Sequence, residues 1–279
     1  MARDRSQKYH NRVANKYDAI YDDVYWDFHD EVTWRRVKPY LPRDGNARCL
    51  DLGCGTGKWG LKLLKSGFPT TFVDHAPAMV GKVQEKLADM GNKQSKASTL
   101  VADIIHMPDL PDDAFALTLA MGDPLSICTD PARAAREMFR CCAPGGVVIA
   151  TADAKLAAIE FFFRQNKLDE LEAFMRSGRT KWLTDNEAEQ FELTMFTPGA
   201  LRKLFARAGF EVISVIGKTI LPIRENRDRL GDPETFRRLV RIEEELEADE
   251  DAAARASHLQ ITAKKSIGHR GTEDTEKAG

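Results

Sequence analysis

Leu50-Asp51-Leu52-Gly53-Cys54-Gly55-Thr56-Gly57 places glycine at alternate positions just after a short apolar run, where a strand gives way to a helix. Glycine has no Cβ to block approach and accepts positive φ, so such a loop brings backbone N–H groups and a helix N-terminus close to a ligand. That indicates nucleotide binding in general. Gly55, Gly57 and Gly60 also satisfy G-x-G-x-x-G, but the dinucleotide fingerprint wants its first glycine directly after the strand, and Gly53 already holds that place. Asp51 at the strand end would repel a pyrophosphate and receive an ammonium, which favours an amino-acid-bearing nucleotide. A phosphate-gripping loop fails as well, because Trp59 follows Lys58 where Ser or Thr is needed.

Working outward, strand-like and helix-like stretches alternate, the pattern of a parallel sheet covered by helices on both faces. Ala47 to Gly53 reads as a strand, Lys58 to Lys65 as a helix, Thr70 to Asp74 as a strand and Pro77 to about Met90 as a helix. Thr99 to Asp103 and Phe115 to Met121 are the next strands, followed by a helix from Pro131 to Cys142 and a strand from Gly146 to Thr151. Beyond Ala152 about forty mostly helical residues intervene before Phe196-Thr197-Pro198 restarts a helix and Glu211 to Ile216 a strand. A helix over Pro233 to about Glu247 and a strand over His258 to Ala263 complete the alternation. The acidic run Glu243 to Asp251 reads as a solvated helix face. Acids close three successive strands: Asp51, then Asp74, where a carboxylate can accept from both ribose hydroxyls, then Asp103 beside the adenine slot. A lone strand-end Asp is as readily a cap, but three of them around a glycine loop point to a ligand.

These stretches resemble the class I S-adenosylmethionine-dependent methyltransferases. The resemblance is carried by CLDLGCGTG at 49–57, FVDHAPAMV at 72–80, VADI at 101–104 and EMFRCCAPGGVVIAT at 137–151, with FTPGALRKLFARAGFEVISV from Phe196 and HLQITAKK from His258. It implies an α/β fold with a doubly wound seven-stranded sheet in the order 3-2-1-4-5-7-6, mostly parallel with the last-numbered strand antiparallel. The implied layout has an N-terminal helical lid (1–45), a cofactor-binding core (46–152), a helical cap insertion (153–196), the rest of the core sheet (197–265) and a disordered tail (266–279). The implied cofactor is S-adenosyl-L-methionine, with S-adenosyl-L-homocysteine as product. Asp51, Gly53, Cys54 and Gly55 would surround its methionine portion, with Met121 and Tyr17 nearby, and Asp74 would hold the ribose. His75 would flank the adenine, and Asp103 with Ile104 would address its edge.

Methyl transfer from a sulfonium is an in-line displacement whose donor is already activated, so a pocket is expected more than a catalytic triad. The fourth strand ends in Met121-Gly122-Asp123-Pro124, at the sheet edge where open α/β sheets bind ligands. Asp123 is therefore either a base or counter-ion for a cationic acceptor, or a cap on the turn before Pro124. Tyr17, Tyr21 and Tyr25 recur every four residues and would spread over only about 80° of one helix. They form either a packed stripe or a lid over the cofactor, with Tyr21 a candidate catalytic group and Tyr25 a candidate substrate contact. In the cap, Phe161, Phe162, Phe163, Phe174 and Trp182 could line an acceptor pocket or bury the cap on the core. Arg176 and Arg179, beside Trp182, could grip a carboxylate or phosphate of the acceptor.

Composition narrows the function. Hydrophobic residues are 43% and charged residues 30%, which describes an ordinary folded chain. A net charge of -2 disfavours dedicated nucleic-acid binding. Five cysteines without a CxxC pair suit a reducing compartment, and no apolar run resembles a signal peptide or a membrane span, so the expected address is cytoplasmic. No His/Cys cluster has metal-ligand spacing, so no metal is expected. The expected partner is a small-molecule acceptor methylated on N, O or S, with no nucleic acid and no membrane. The competing readings are an RNA or protein methyltransferase and a non-catalytic cofactor-binding module.

Overall fold

The computed structural model describes residues 2–182, 186, 189–249 and 251–267. Its centre is a sheet in which β1 (Cys49–Leu52), β2 (Thr70–Asp74), β3 (Ala97–Val101), β4 (Phe115–Ala120) and β5 (Cys142–Asp153) run parallel. A short ribbon, β6 (Arg179–Lys181) with β7 (Glu192–Thr194), stands apart from it. The central sheet is completed by β8 (Glu211–Lys218) and β9 (His258–Lys264), and its spatial order is β3-β2-β1-β4-β5-β9-β8. Counted along the chain without the ribbon, its seven strands stand in the order 3-2-1-4-5-7-6. β9 is antiparallel to both neighbours.

Strands buried on both faces read as near-continuous apolar runs, and β1 and β2 are buried along their whole length. Leu50, Leu52, Val148 and Ala150 face α7 (Pro131–Cys141) and α10 (Pro198–Ala208) through Ala134, Met138, Leu201 and Phe205. Cys49, Leu117, Leu119 and Ile149 face the other way, onto α3 (Val24–Val37) and α4 (Lys58–Lys65) through Val37, Trp59 and Leu63. α5 (Pro77–Ala88) adds Val83 and Leu87 against Phe72. The doubly wound architecture follows from apolar residues on alternate sides of each strand.

Several boundaries move. β3 ends at Val101, so Asp103 lies beyond it in a turn bridged to His106. β5 begins at Cys142 and runs through the Pro144-Gly145-Gly146 turn sequence to Asp153. The single helix expected under the tyrosines is broken: α1 (Ala2–Val13) and the short α2 (Tyr17–Ile20) precede α3, whose N-cap is Asp23. Asp23 is extended (φ -152°, ψ 145°) and its carboxylate accepts the Tyr25 N–H at 2.8 Å, an N-cap that starts a new helix. Tyr25 is thereby turned into a separate core with Phe28, Val32, Ile223 and Val240.

The cap is helical only in part. It contains α8 (Ala158–Arg164), α9 (Leu168–Ser177) and the ribbon, and its two ends meet at one point. There the Phe196 N–H donates to the Asp153 carbonyl at 2.9 Å and the Lys155 N–H donates to the Phe196 carbonyl at 2.8 Å. Phe162 and Phe174 are buried against Ala158 and Met195, so they form the cap's own small core. Phe163 points outward and is 72% exposed.

The acidic run is a correction. On α11 (Pro233–Glu247), Glu243 and Glu247 are buried one helical turn apart. Glu243 accepts the N–H groups of Ile220 (2.7 Å) and Leu221 (3.0 Å), which lie just past β8, and Glu247 pairs with Arg36 of α3. Unpaired backbone donors at the end of a strand need acceptors, and a charge count along the sequence does not show them. Of the expected tail, residues 268–279 lie outside the described residues.

Candidate active site

Gly53 (φ +62°) and Gly55 (φ +52°) make the strand-to-helix turn, and a Cβ on Gly53 would stand 2.6 Å from Cβ of Pro124. The loop after β4 therefore lies directly against the glycine loop. Gly60, in the first turn of α4, donates its N–H to Asp51 Oδ2 at 2.7 Å. A side chain there would meet Phe72 at 2.3 Å, so only glycine lets α4 come this close. Asp51 Oδ1 is buried with no partner. Burial pushes this carboxyl up to about 7, with Gly60 opposing and Asp74 adding to the rise.

Asp74 orders the loop and the following turn. Its Oδ2 accepts the Gly55 N–H at 2.9 Å and its Oδ1 accepts the Ala76 N–H at 2.8 Å. Cys54 is buried among Leu64, Phe72 and Val83, and burial pushes its thiol well above the ordinary range, so it is inert packing beside the loop. His75 turns its ring edge-on to His10 of α1, with ring centroids 5.6 Å apart, and its Nε2 is buried without a partner. Asp103 accepts the Ile105 N–H at 3.1 Å, while Ile104 and Met121 are buried in the core on either side.

The N-terminal helices close over this edge. α1 packs Val13 and Ala14 on Ala76 and Met79, while Gln7 donates to the His75 carbonyl at 2.6 Å and Asn11 accepts the Ala78 N–H at 3.0 Å. Asp18 is bound by Lys86 (2.7 Å) and by the Thr56 hydroxyl, which pins α2 to the glycine loop. Tyr17 then lies against Gly55, within 3.5 Å of where a Cβ would be, and hydrogen-bonds Tyr21 with ring centroids 4.9 Å apart. From the cap, Trp182 packs on Tyr9 of α1 (5.5 Å) and on Phe191 (4.7 Å), and Arg12 pairs with Glu189. Arg176 and Arg179 are exposed, Arg176 beside Glu172, whereas Trp182 is half-buried against Tyr9 and Phe191. Within β6, Arg179 and Lys181 share the exposed face.

At the far end of the site the structure assembles a cluster. Gly122 (φ +82°) and Asp123 (φ +64°) form a left-handed turn whose two N–H groups both donate to the Thr151 hydroxyl at 3.0 Å. Asp123 Oδ2 meets Nδ1 of His258 at 3.0 Å, and Asp153 Oδ1 stands 4.0 Å from the same nitrogen. Burial opposes the charge on Asp123, but His258, Lys218 and Thr151 outweigh it and hold the carboxyl low. Burial likewise opposes charge on His258, but Asp123 and Asp153 outweigh it and raise the imidazole. Asp153 is pushed up to about 7 by burial and by Asp123. Lys218 is fully buried beside them, donating to Thr33 (2.8 Å) and in contact with His29 (3.2 Å), and desolvation lowers it to about 8. Sequence reasoning had singled out Asp123 of this group and missed Asp153, His258, Lys218 and His29.

The methyltransferase-domain family pattern matches residues 25–215. The chain belongs to the class I S-adenosylmethionine-dependent methyltransferases. This methyltransferase is 29% identical over 174 residues to a 2-methoxy-6-polyprenyl-1,4-benzoquinol methylase of Caenorhabditis elegans, covering 57% of this chain and 54% of that protein. It thus spans about half the length of that relative. It is 27% identical over 205 residues to a demethylmenaquinone methyltransferase of Staphylococcus aureus, covering 71% of this chain and 81% of that one. A crystal structure of an S-adenosylmethionine-dependent methyltransferase from Methanosarcina mazei has a TM-score of 0.60 at 18% identity, covering 84% of this chain and 98% of that one.

The residues present fit the methyltransferase's cofactor. The orphaned Asp51 oxygen suits a ligand ammonium, the orphaned His75 nitrogen suits a polar edge of the ligand, and the glycine loop leaves backbone free to approach. When bound, S-adenosylmethionine supplies an electrophilic methyl group. Among the described residues, no helix of the methyltransferase is long and apolar enough to cross a membrane.

Proposed function

We propose that this methyltransferase acts on a small molecule bearing an ionisable hydroxyl. The observation that carries the reading is the titratable cluster of Asp123, Asp153 and His258 at the carboxyl ends of β4 and β5, under a lid and cap that touch through Tyr9 and Trp182. A site closed on both sides suits a small acceptor better than an RNA or a protein, and a hydroxyl benefits from a nearby proton acceptor as an amine does not.

In this reading Asp51, Gly53, Cys54 and Gly55 hold the methionine portion, Asp74 the ribose, and His75, Asp103 and Ile104 the adenine. Tyr17 and Tyr21 belong to the lid, and Trp182 helps to close the acceptor side. Residues 1–45 serve as lid, 46–152 and 197–265 as core and 153–196 as cap. The reducing cytoplasm is the compartment that suits its five free thiols.

The test is S-adenosylhomocysteine release with a panel of hydroquinones, phenols, amines, thiols, bulk RNA and unfolded protein. Turnover confined to hydroquinones and phenols is the expected result. Turnover on RNA or protein alone refutes the reading.

A further inference from the structure

Asp153, His258 and Lys218 form one row across three strands. Asp153 is the register partner of His258 in the β5–β9 pair, and His258 is the register partner of Lys218 in the β9–β8 pair. Directly opposed residues in antiparallel strands point to the same face, so the three side chains line up at the sheet edge. Asp123 joins the row from the turn after β4, and the hydroxyl of Ser126 of α6 (Pro124–Ile127) accepts the Asp153 N–H at 2.8 Å. Tyr21 faces Asp123 and Asp153 from the lid, and His29 faces His258 from α3 at 5.4 Å between ring centroids.

Each member can be asked whether it could take a proton from an acceptor. Asp123 is held low by the cations beside it, and one of its oxygens is spent on His258, so it is a weak base. His258 stands against the carboxylates of Asp123 and Asp153, which favour its charged form over burial and make it a poor proton acceptor. Tyr21 is kept protonated by burial. Lys218 is sealed from solvent, and burial holds His29 neutral, at about 3. Asp153 remains, and at 24% side-chain exposure it is the most open of the Asp123–Asp153–His258 group.

Resting on the hydroxyl-acceptor reading above, we infer that Asp153 is the proton acceptor for the substrate hydroxyl, with His258 and Asp123 as the pair that positions it. The hydroxyl proton moves to the Asp153 carboxylate. The freed oxygen pair forms the new bond to the methyl carbon as the carbon–sulfur bond breaks, its electron pair remaining on sulfur. Asp153 then returns its proton to water once the methylated product has left. A base works best when its pKa lies near the operating pH, and burial, with the repulsion from Asp123 adding to it, raises Asp153 toward that match. The cap begins at Asp153 and returns to it at Phe196, so cap closure and placement of the base are mechanically linked.

The competing occupant of these three side chains is a divalent cation, since their ligand atoms lie within 4.8 Å of one another. The test compares wild type, Asp153→Asn and His258→Gln on two probes: methoxyhydroquinone, and 4-nitrothiophenol, which is already ionised at mildly alkaline pH. Asp153→Asn should slow methylation of methoxyhydroquinone by about 10²–10⁴-fold and slow that of 4-nitrothiophenol by less than about tenfold, since its thiolate needs no proton acceptor. His258→Gln should retain turnover but move the acid limb of the rate profile to higher pH, because the imidazolium that opposes the rise is gone. Wild-type turnover of methoxyhydroquinone matched by Asp153→Asn refutes the inference alone. Activity abolished by EDTA and restored by Mg²⁺ also refutes it, in favour of a metal site. Wild type inactive on methoxyhydroquinone refutes the acceptor reading and the inference with it. Should Asp153→Asn fail to fold, carbon NMR titration of γ-labelled aspartates in the wild type decides, and the absence of any carboxyl titrating near neutrality at this position refutes the inference.

Discussion

Asp51→Asn tests the glycine loop where its chemistry is most exposed to disproof. The Gly60 N–H already occupies Asp51 Oδ2 at 2.7 Å, and asparagine can keep that bond with its carbonyl oxygen. Its amide nitrogen then falls where Oδ1 stands buried and unpartnered, so that a ligand ammonium meets a donor in place of an acceptor. A hydrogen bond to a charged group contributes roughly 1.5–3 kcal/mol, so S-adenosylhomocysteine should bind about 10- to 150-fold more weakly. The assay is isothermal titration with S-adenosylhomocysteine and with 5′-methylthioadenosine, which keeps the nucleoside and sulfur and lacks the amino acid. Only the first should lose affinity. The free carboxyl is raised to about 7, and the ammonium binds its ionised form, so affinity must rise with pH through that value. The ionised fraction grows from about one-tenth at pH 6 to about nine-tenths at pH 8, which tightens wild-type binding about tenfold and leaves Asp51→Asn flat. Equal losses for both ligands, or none, would mean that Asp51 does not face the ammonium.

Gly53→Ala combines a φ of +62° with a Cβ placed 2.6 Å from Pro124 in the adjoining loop, and should abolish the thermal shift caused by S-adenosylhomocysteine. Thr151→Val removes the acceptor shared by Gly122 and Asp123 and should destabilise the chain by about 2 kcal/mol or more, read as a lower urea midpoint with unchanged slope. Phe162→Ala empties the centre of the cap and costs about 3–5 kcal/mol. Limited proteolysis should then cut within the cap and spare the core sheet; cuts spread evenly over the chain would show that the cap is not a separate unit.

The geometry of the glycine loop was legible because its determinants are local. Glycines at fixed offsets from a strand end, and acids at or near the ends of the first two strands, are properties of short windows, and the helix over Lys58–Lys65 was read to the residue, whereas Asp103 falls beyond its strand. The tyrosine stripe misled because spacing alone cannot see Asp23, whose side chain caps a new helix and turns Tyr25 away from Tyr17 and Tyr21. The cluster of Asp123, Asp153, His258 and Lys218 was not legible because its members are far apart in sequence and meet only through the sheet. A partial signal was present: a final strand lying antiparallel beside the fifth starts near the fifth strand's end. The fifth strand read over Gly146 to Thr151 stops two residues short of Asp153, which pairs with His258. Lys218 was hidden because a lysine at the end of a strand reads as a solvated terminus, and burial against α3 is a tertiary event.

Asp51 and Asp153 stand at opposite ends of the site, and burial pushes both carboxyls up to about 7. What relieves the cost differs. On the proposed reading, Asp51 would meet its counter-charge when the amino acid of the cofactor arrives, whereas Asp153 has His258 beside it throughout. At saturating cofactor the ammonium holds Asp51 ionised across the working range, so kcat with a hydroxyl acceptor should fall below neutrality as a single group protonates. At limiting cofactor both carboxyls must be ionised at the outset, and kcat/KM for the cofactor should fall with two protons. The two limbs have separate owners. Asp51→Asn should reduce the kcat/KM limb to one proton while leaving the limb in kcat, because the group that gates binding is not the group that takes the proton.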